Sequence, residues 1–204
     1  MNRFAIASAA CFAGILAACS KATEPHLYPV DAAPVAAPAA SSSRTKTPNG
    51  ISFEAPPAWN VQVAPRPMRD AQMRIPRAEG DAKDGELVVY YFGPGQGGSV
   101  ESNVERWYTQ FEQPDGSPSK EKAKIETRQV GGLRATVVEL SGRYVAAITP
   151  GAPEKYDEPG WKLFAAIVET AKGPFFFKGV GPERTIAAAR PALDALLASV
   201  RLEG

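Results

Sequence analysis

The sequence is nearly empty of the side chains on which most enzyme chemistry depends. Its 204 residues include two cysteines and one histidine. Cys11 and Cys19 fall in and at the end of an N-terminal apolar leader, and His26 lies in the Pro- and Ala-rich stretch that follows, so the segment expected to fold has neither residue type. That excludes a Ser-His-Asp triad, a Cys-His pair, a histidine or cysteine zinc site, a CxxC redox pair and a haem attachment site. No metal and no cofactor is expected. Without disulfides, packing alone must hold the domain together. An excess of positive charge is missing too: from Asn49 onward 19 Lys and Arg stand against 20 Asp and Glu. A nucleic-acid partner would need clustered positive charge that this balance does not supply. The one local excess is Arg66, Arg69, Arg74 and Arg77, opposed only by Asp70, and it reads as the solvated face of a strand and its loop. Internal repeats and heptad runs are absent.

The leader consists of Arg3 and then an apolar run from Phe4 to Leu16, broken only by Ser8 and Gly14. It is too short to span a bilayer and has the form of a signal peptide. Its end, Leu16-Ala17-Ala18-Cys19, resembles the lipobox of bacterial lipoproteins. The resemblance implies that residues 1–18 are removed as a signal peptide, that the Cys19 thiol is diacylated, and that the lipid bilayer is a partner through Cys19. Each buried methylene contributes about 0.8 kcal/mol, so two or three acyl chains hold far more firmly than one. An ordinary secretory cleavage at an A-x-A-like site nearby is the alternative. Ser20 stands where retention in the inner membrane prefers Asp, which implies an outer-membrane location facing the periplasm. Residues 19–48, with Pro25, Pro29, Pro34, Pro38 and Pro48, an alanine-rich run and Ser41 to Ser43, are expected to be a disordered tether. As a coil it reaches roughly 30 Å.

Residues 49–204 leave enough chain for one domain with its own core. Asn49-Gly50 is a turn leading into the alternating Ile51-Ser52-Phe53-Glu54, and a second strand is expected from Trp59 to Val63 and a third from Ala71 to Ile75. Asp84-Gly85 turns the chain into Glu86 to Phe92, apolar on both faces and hence a central strand. The acidic loop Asp81 to Gly85 has too few ligands at the right spacing for calcium and reads as a turn. After the next helix, Lys124–Val130 and Leu133–Val145 form a hairpin at Gly131-Gly132. Trp161–Thr170 and the strand beginning Phe175-Phe176-Phe177 form another. Gly181-Pro182-Glu183 opens a final helix, with proline at its first position and a kink expected at Pro191.

The most distinctive stretch of the domain is Gly93-Pro94-Gly95-Gln96-Gly97-Gly98-Ser99. Ser99 is a good N-cap for a helix that buries Val100, Val104, Trp107 and Phe111, beside a polar stripe of Asn103, Arg106 and Gln110. A glycine-rich loop at a helix N-terminus can hold an anion on its amides, which makes Gly95, Gly97, Gly98, Ser99 and Arg106 a candidate site for a small anionic ligand. The Lys-Ser/Thr ending of a P-loop is missing. A loop that simply lets strand and helix meet closely is the expected reading.

Strands, helix, strands and a final helix imply an α+β domain, an antiparallel sheet flanked by helices. Gly50-Ile51-Ser52-Phe53 with Pro56 and Trp59, the hairpin after the first helix, and Gly181-Pro182 leading to Leu196-Leu197-Ala198-Ser199-Val200 resemble the PsbP-like fold. That resemblance implies an α-β-α sandwich and partner binding rather than catalysis. The histidine-free domain departs from the photosynthetic members, so their partner and metal sites do not carry over. Three functional classes follow: a non-catalytic lipoprotein that binds an envelope protein, which is the leading expectation; a small anionic-ligand binder; and a carboxylate or Ser-Lys hydrolase.

Overall fold

Period-two alternation along the strands decides which side chains face which layer, and glycine and proline mark where each run stops. The computed structural model describes residues 43–149 and 151–203. The expected signal peptide, Cys19 and the tether as far as residue 42 lie outside the described residues. In chain order the elements are β1 (Arg44–Lys46), β2 (Ile51–Glu54), a 3-10 turn (Pro57–Trp59), β3 (Gln62–Arg66), β4 (Arg69–Ile75), β5 (Gly85–Tyr91), α1 (Val100–Tyr108) and β6 (Phe111–Glu112). They continue with α2 (Ser119–Lys122), β7 (Lys124–Val130), β8 (Leu133–Tyr144), β9 (Glu158–Val168), β10 (Phe175–Pro182), α3 (Glu183–Ala198) and β11 (Arg201–Leu202).

The main sheet runs β3-β4-β5-β10-β9-β8, with β7 and β6 both paired to β8, and every pairing is antiparallel. A small sheet, β1-β2-β11, joins the start of the domain to its end. On one face of the main sheet Leu87, Val89, Phe164, Ala166, Phe175 and Phe177 meet Ile186, Leu193, Leu196 and Leu197 of α3 and Ile51 and Phe53 of the small sheet. On the other, Val138, Leu140, Leu163, Ile167 and Phe176 pack with Val104 and Trp107 of α1 and with Phe111. The result is the expected α+β sandwich, an antiparallel sheet with helices on both faces. Each large side chain so enclosed contributes roughly 1.5–3 kcal/mol relative to exposure. Among the described residues no helix is long and apolar enough to cross a membrane.

Several boundaries differ from the sequence expectation. Arg44–Lys46, placed in the tether, forms β1 against Ser52–Glu54, so regular structure begins ahead of Asn49. Trp59 ends a 3-10 turn started by Pro56-Pro57 instead of opening a strand, because Asn60 turns left-handed (φ 49°) and β3 starts only at Gln62. Helix α1 stops at Tyr108, and Phe111 reaches the same apolar layer from β6, opposite Tyr144. The polar segment expected as an exposed loop contains α2, whose buried Ser119 hydroxyl donates to the Phe111 carbonyl at 2.8 Å. Pro182 is the N-cap of α3, not its first residue, and is still paired with Trp161. The cap is supplied by Asp81, which accepts from the Thr185 amide at 2.9 Å and its hydroxyl at 2.6 Å. The acidic loop thus docks the final helix, and α3 continues through Pro191. At the β7–β8 turn Gly131 (φ 57°) is required: a Cβ there would lie 1.8 Å from the Val200 carbonyl oxygen.

Candidate functional site

The glycine-rich loop leads from β5 into α1, as the sequence indicates. The Ser99 hydroxyl caps the helix by accepting from the Ser102 amide at 3.1 Å. Asn103, 1% exposed, donates its amide to the Gly97 carbonyl at 2.7 Å and to the Ser99 carbonyl at 2.8 Å, which ties the loop to the first turn. Gly97 (φ 91°) lies flat on the rings beneath it, since a Cβ would stand 2.9 Å from Phe176 and 3.0 Å from Phe92. Around Gly95 the space is open. The positive end of the helix already has a carboxylate: Glu101 is held below the usual range by its own backbone amide and by the Ser99 hydroxyl. Of the candidate residues, Gly97, Gly98 and Ser99 are gathered around Asn103. Arg106, in the last turn of α1, bonds the Asn103 side-chain oxygen, and its charge acts on a lysine of the sheet below.

That lysine is Lys178. In the β10 strand it follows Phe175-Phe176-Phe177 and shares the α1 side of the sheet with Phe176 and Val180, between Val88 of β5 and Ala165 of β9. Its ammonium donates to Gln110 Oε1 at 2.7 Å and to the Tyr144 hydroxyl at 3.3 Å, and stands 5.5 Å from the centre of the Tyr144 ring. Burial among these groups, followed by the charges of Arg106 and Arg69, pulls its pKa down to about 8, with Glu86 opposing. Tyr144 is pushed up by burial, as is Tyr90, so both phenols stay protonated and able to donate.

The surroundings are aromatic. Tyr144 stacks on Trp161 at 5.5 Å and packs beside Tyr156, and Tyr90 stacks on Phe92 at 6.1 Å. Arg69, 5.7 Å over the Tyr90 ring, is neutralised by Glu86 at 3.3 Å and also donates to Gln72. Arg106 and Lys178 differ from it. Their partners are Asn103, Gln110 and Tyr144, all uncharged, and among the described residues neither forms an ion pair. The remaining arginines of the sequence cluster disperse: Arg74 pairs with Asp84 at 2.8 Å, and the Arg77 amide donates to the same carboxylate. Arg66 and Arg69 flank an open hollow of about 650 Å³ beside the buried Asp70.

The Asn103, Arg106 and Gln110 stripe is legible in the sequence, whereas the floor beneath it is not. The available signal was a lone lysine at an inward position of a strand that is otherwise apolar on both faces. Tyr144 was hidden because the second arm of a long hairpin gives no indication of what its last residue will face.

No family model matches the chain, and no curated protein matches it. Among solved structures, the cyanobacterial PsbP protein (CyanoP) of Synechocystis sp. PCC 6803, determined in solution, is similar with 16% identity and a TM-score of 0.49, over 83% of this chain and 96% of that one. A crystal structure of PA94, a protein of unknown function from Pseudomonas aeruginosa, is similar with 12% identity and a TM-score of 0.44, over 80% of this chain and 98% of that one.

Proposed function

We propose that the chain is a membrane-anchored envelope lipoprotein, acylated at Cys19 and located at the outer membrane facing the periplasm, whose domain binds an envelope protein and performs no catalysis. On this reading the segment from Cys19 to the start of β1 serves as the tether between bilayer and domain. The observation that carries the binding role is the α1 side of the sheet, where Lys178, beside the Tyr144 ring, and exposed Arg106 bond only uncharged partners. A desolvated lysine close to a second cation of like sign costs stability in the isolated domain, and an acidic partner surface would relieve that cost. Cross-linking in intact envelopes followed by capture tests this reading: an acidic protein at one-to-one stoichiometry, lost with Arg106→Glu, is the expected result. Anchoring is tested separately by Cys19→Ala, which should release the chain from membranes and abolish labelling with radioactive palmitate.

A second reading, binding of a small anion, is favoured by a specific feature: Lys178 bonds both Tyr144 and Gln110, and Arg106, whose charge acts on Lys178, lies one turn before Gln110 along the chain. It moves the anion from the loop amides, where Glu101 already sits, to the sheet face below Arg106.

A further inference from the structure

Donor bookkeeping defines what would satisfy this place. The Lys178 ammonium has three N–H groups, of which two go to Gln110 and the Tyr144 hydroxyl, leaving one. Tyr144 accepts from Lys178, so its own proton remains to be donated. Exposed Arg106 spends part of its fork on Asn103 and keeps the rest. Lys178 and Arg106 are thus two positive charges close enough for one to act on the other, with donors to spare on each and on Tyr144, and no carboxylate is paired to either cation among the described residues. A monoanionic carboxylate would leave one charge unmatched. A phosphate monoester, with about 1.5 to 2 negative charges near neutral pH and three acceptor oxygens, matches both counts.

From this arrangement we propose that Lys178, Arg106 and Tyr144 form a binding site for a phosphate monoester. The proposal rests on the small-anion reading above and stands apart from the protein-partner reading. Arg106 is exposed and Lys178 half-buried, while Tyr144 is 5% exposed, so a ligand would enter from the Arg106 side. The rings of Tyr90 and Tyr156, at the edge of the site, offer surface to whatever carries the phosphate.

The site carries its own pH dependence. The groups facing Lys178 are Arg69 from β4, Glu86 and Tyr90 from β5, Tyr144 from β8, Arg106 from α1, and, through Tyr144, Tyr156 from the segment after β8; β9 contributes the uncharged Ala165. Lys178 must be protonated to bind, and its unliganded pKa lies at about 8, so affinity falls as pH rises through 8. On the acid side the monoester takes up its second proton near pH 6, so affinity falls again. Binding should therefore peak near pH 7.

The test is calorimetric titration of the full chain in detergent with glycerol phosphate, from pH 5 to 9 at fixed ionic strength. The expected result is saturable binding, strongest near pH 7 and about tenfold weaker at pH 9. Arg106→Ala and Lys178→Met should each weaken it by at least about tenfold, and Tyr144→Phe less, all with the melting midpoint retained. A lipid source is separated from a soluble one by flotation of the Cys19→Ala chain with phosphatidylcholine vesicles containing phosphatidic acid: flotation lost in Lys178→Met assigns the phosphate to a lipid. Absence of flotation, with glycerol phosphate still bound, assigns it to a soluble molecule. Failure of glycerol phosphate to bind at pH 7, or binding with a flat pH profile or indifferent to all three substitutions, overturns the site. Capture of an acidic protein partner in that event would leave the first reading standing.

Discussion

The two faces of the main sheet both carry clusters of cations, and they are treated in opposite ways. On the α3 side Arg190, Arg128 and Lys162 are matched by Glu139, Asp194 and Glu126. Arg190 bonds Glu139 and reaches Asp194 at 2.7 Å, Arg128 reaches Asp194 at 2.6 Å, and Lys162 reaches Glu139 at 3.1 Å. Arg190 also lies 5.0 Å over the Phe164 ring. On the α1 side Lys178 and Arg106 have only neutral partners. The apolar layers are unequal as well: among the described residues the α3-side cluster has 22 buried members and the α1-side cluster 11. One face is closed for stability. The other carries the smaller cluster, under α1, Phe111 and the Tyr144–Trp161 stack, and its cations Lys178 and Arg106 lack the paired carboxylates that would make them structural.

Substitutions can break that comparison. The largest effect should come from Trp107→Ala, which empties the apolar patch under α1 where Trp107 is 3% exposed. It should cost about 3 to 5 kcal/mol, read as a lowered urea midpoint. An unchanged midpoint would mean that α1 is not seated on the sheet and that the whole face is open. Arg190→Ala should follow, at about 2 kcal/mol, through loss of charged hydrogen bonds on the closed face.

Acidity sharpens the contrast. Burial by itself would raise Glu139, but hydrogen bonds from Arg190 and Lys162 hold it below its ordinary value, and Arg190 and Arg128 do the same for Asp194. A depressed carboxylate contributes stability above its unfolded pKa of about 4 and loses it as pH falls through the folded one. The gap between the native chain and Arg190→Ala should thus close as pH drops from 5 to 2. A gap that stays constant would show that Arg190 works through packing on Phe164 instead of through charge.

The smallest effect, and the one of opposite sign, belongs to Lys178→Met. Replacing a desolvated, unmatched lysine with an apolar chain of similar length should leave stability unchanged or raise it.

Much of this could be read from the chain itself. The Gly131-Gly132 hairpin, the central β5 strand, the Ser99 cap and the polar stripe of α1 follow from turn chemistry and periodicity, which are local. What escaped was long-range. β1 forms because Arg44–Lys46 finds β2, and the cap of α3 comes from Asp81, about a hundred positions away. Arg106 was singled out for the loop beside it in sequence, yet the charge it acts on belongs to Lys178, which only the pairing of β10 between β5 and β9 brings beneath the helix. No sequence window contains both ends of such a contact.

On this proposal the α1 face holds unbalanced charge for a ligand at the expense of the unliganded fold. Thermal melting of the native chain and Lys178→Met, each with and without saturating glycerol phosphate at pH 7, tests it most directly, because a ligand that binds only the native state raises the midpoint by mass action. The predicted result is a crossing: without ligand the methionine variant melts at or above the native chain, and with ligand the native chain alone rises and overtakes it. A variant that melts well below the native chain in both conditions, with no ligand shift in either, would show that Lys178 is a structural residue and would contradict the account.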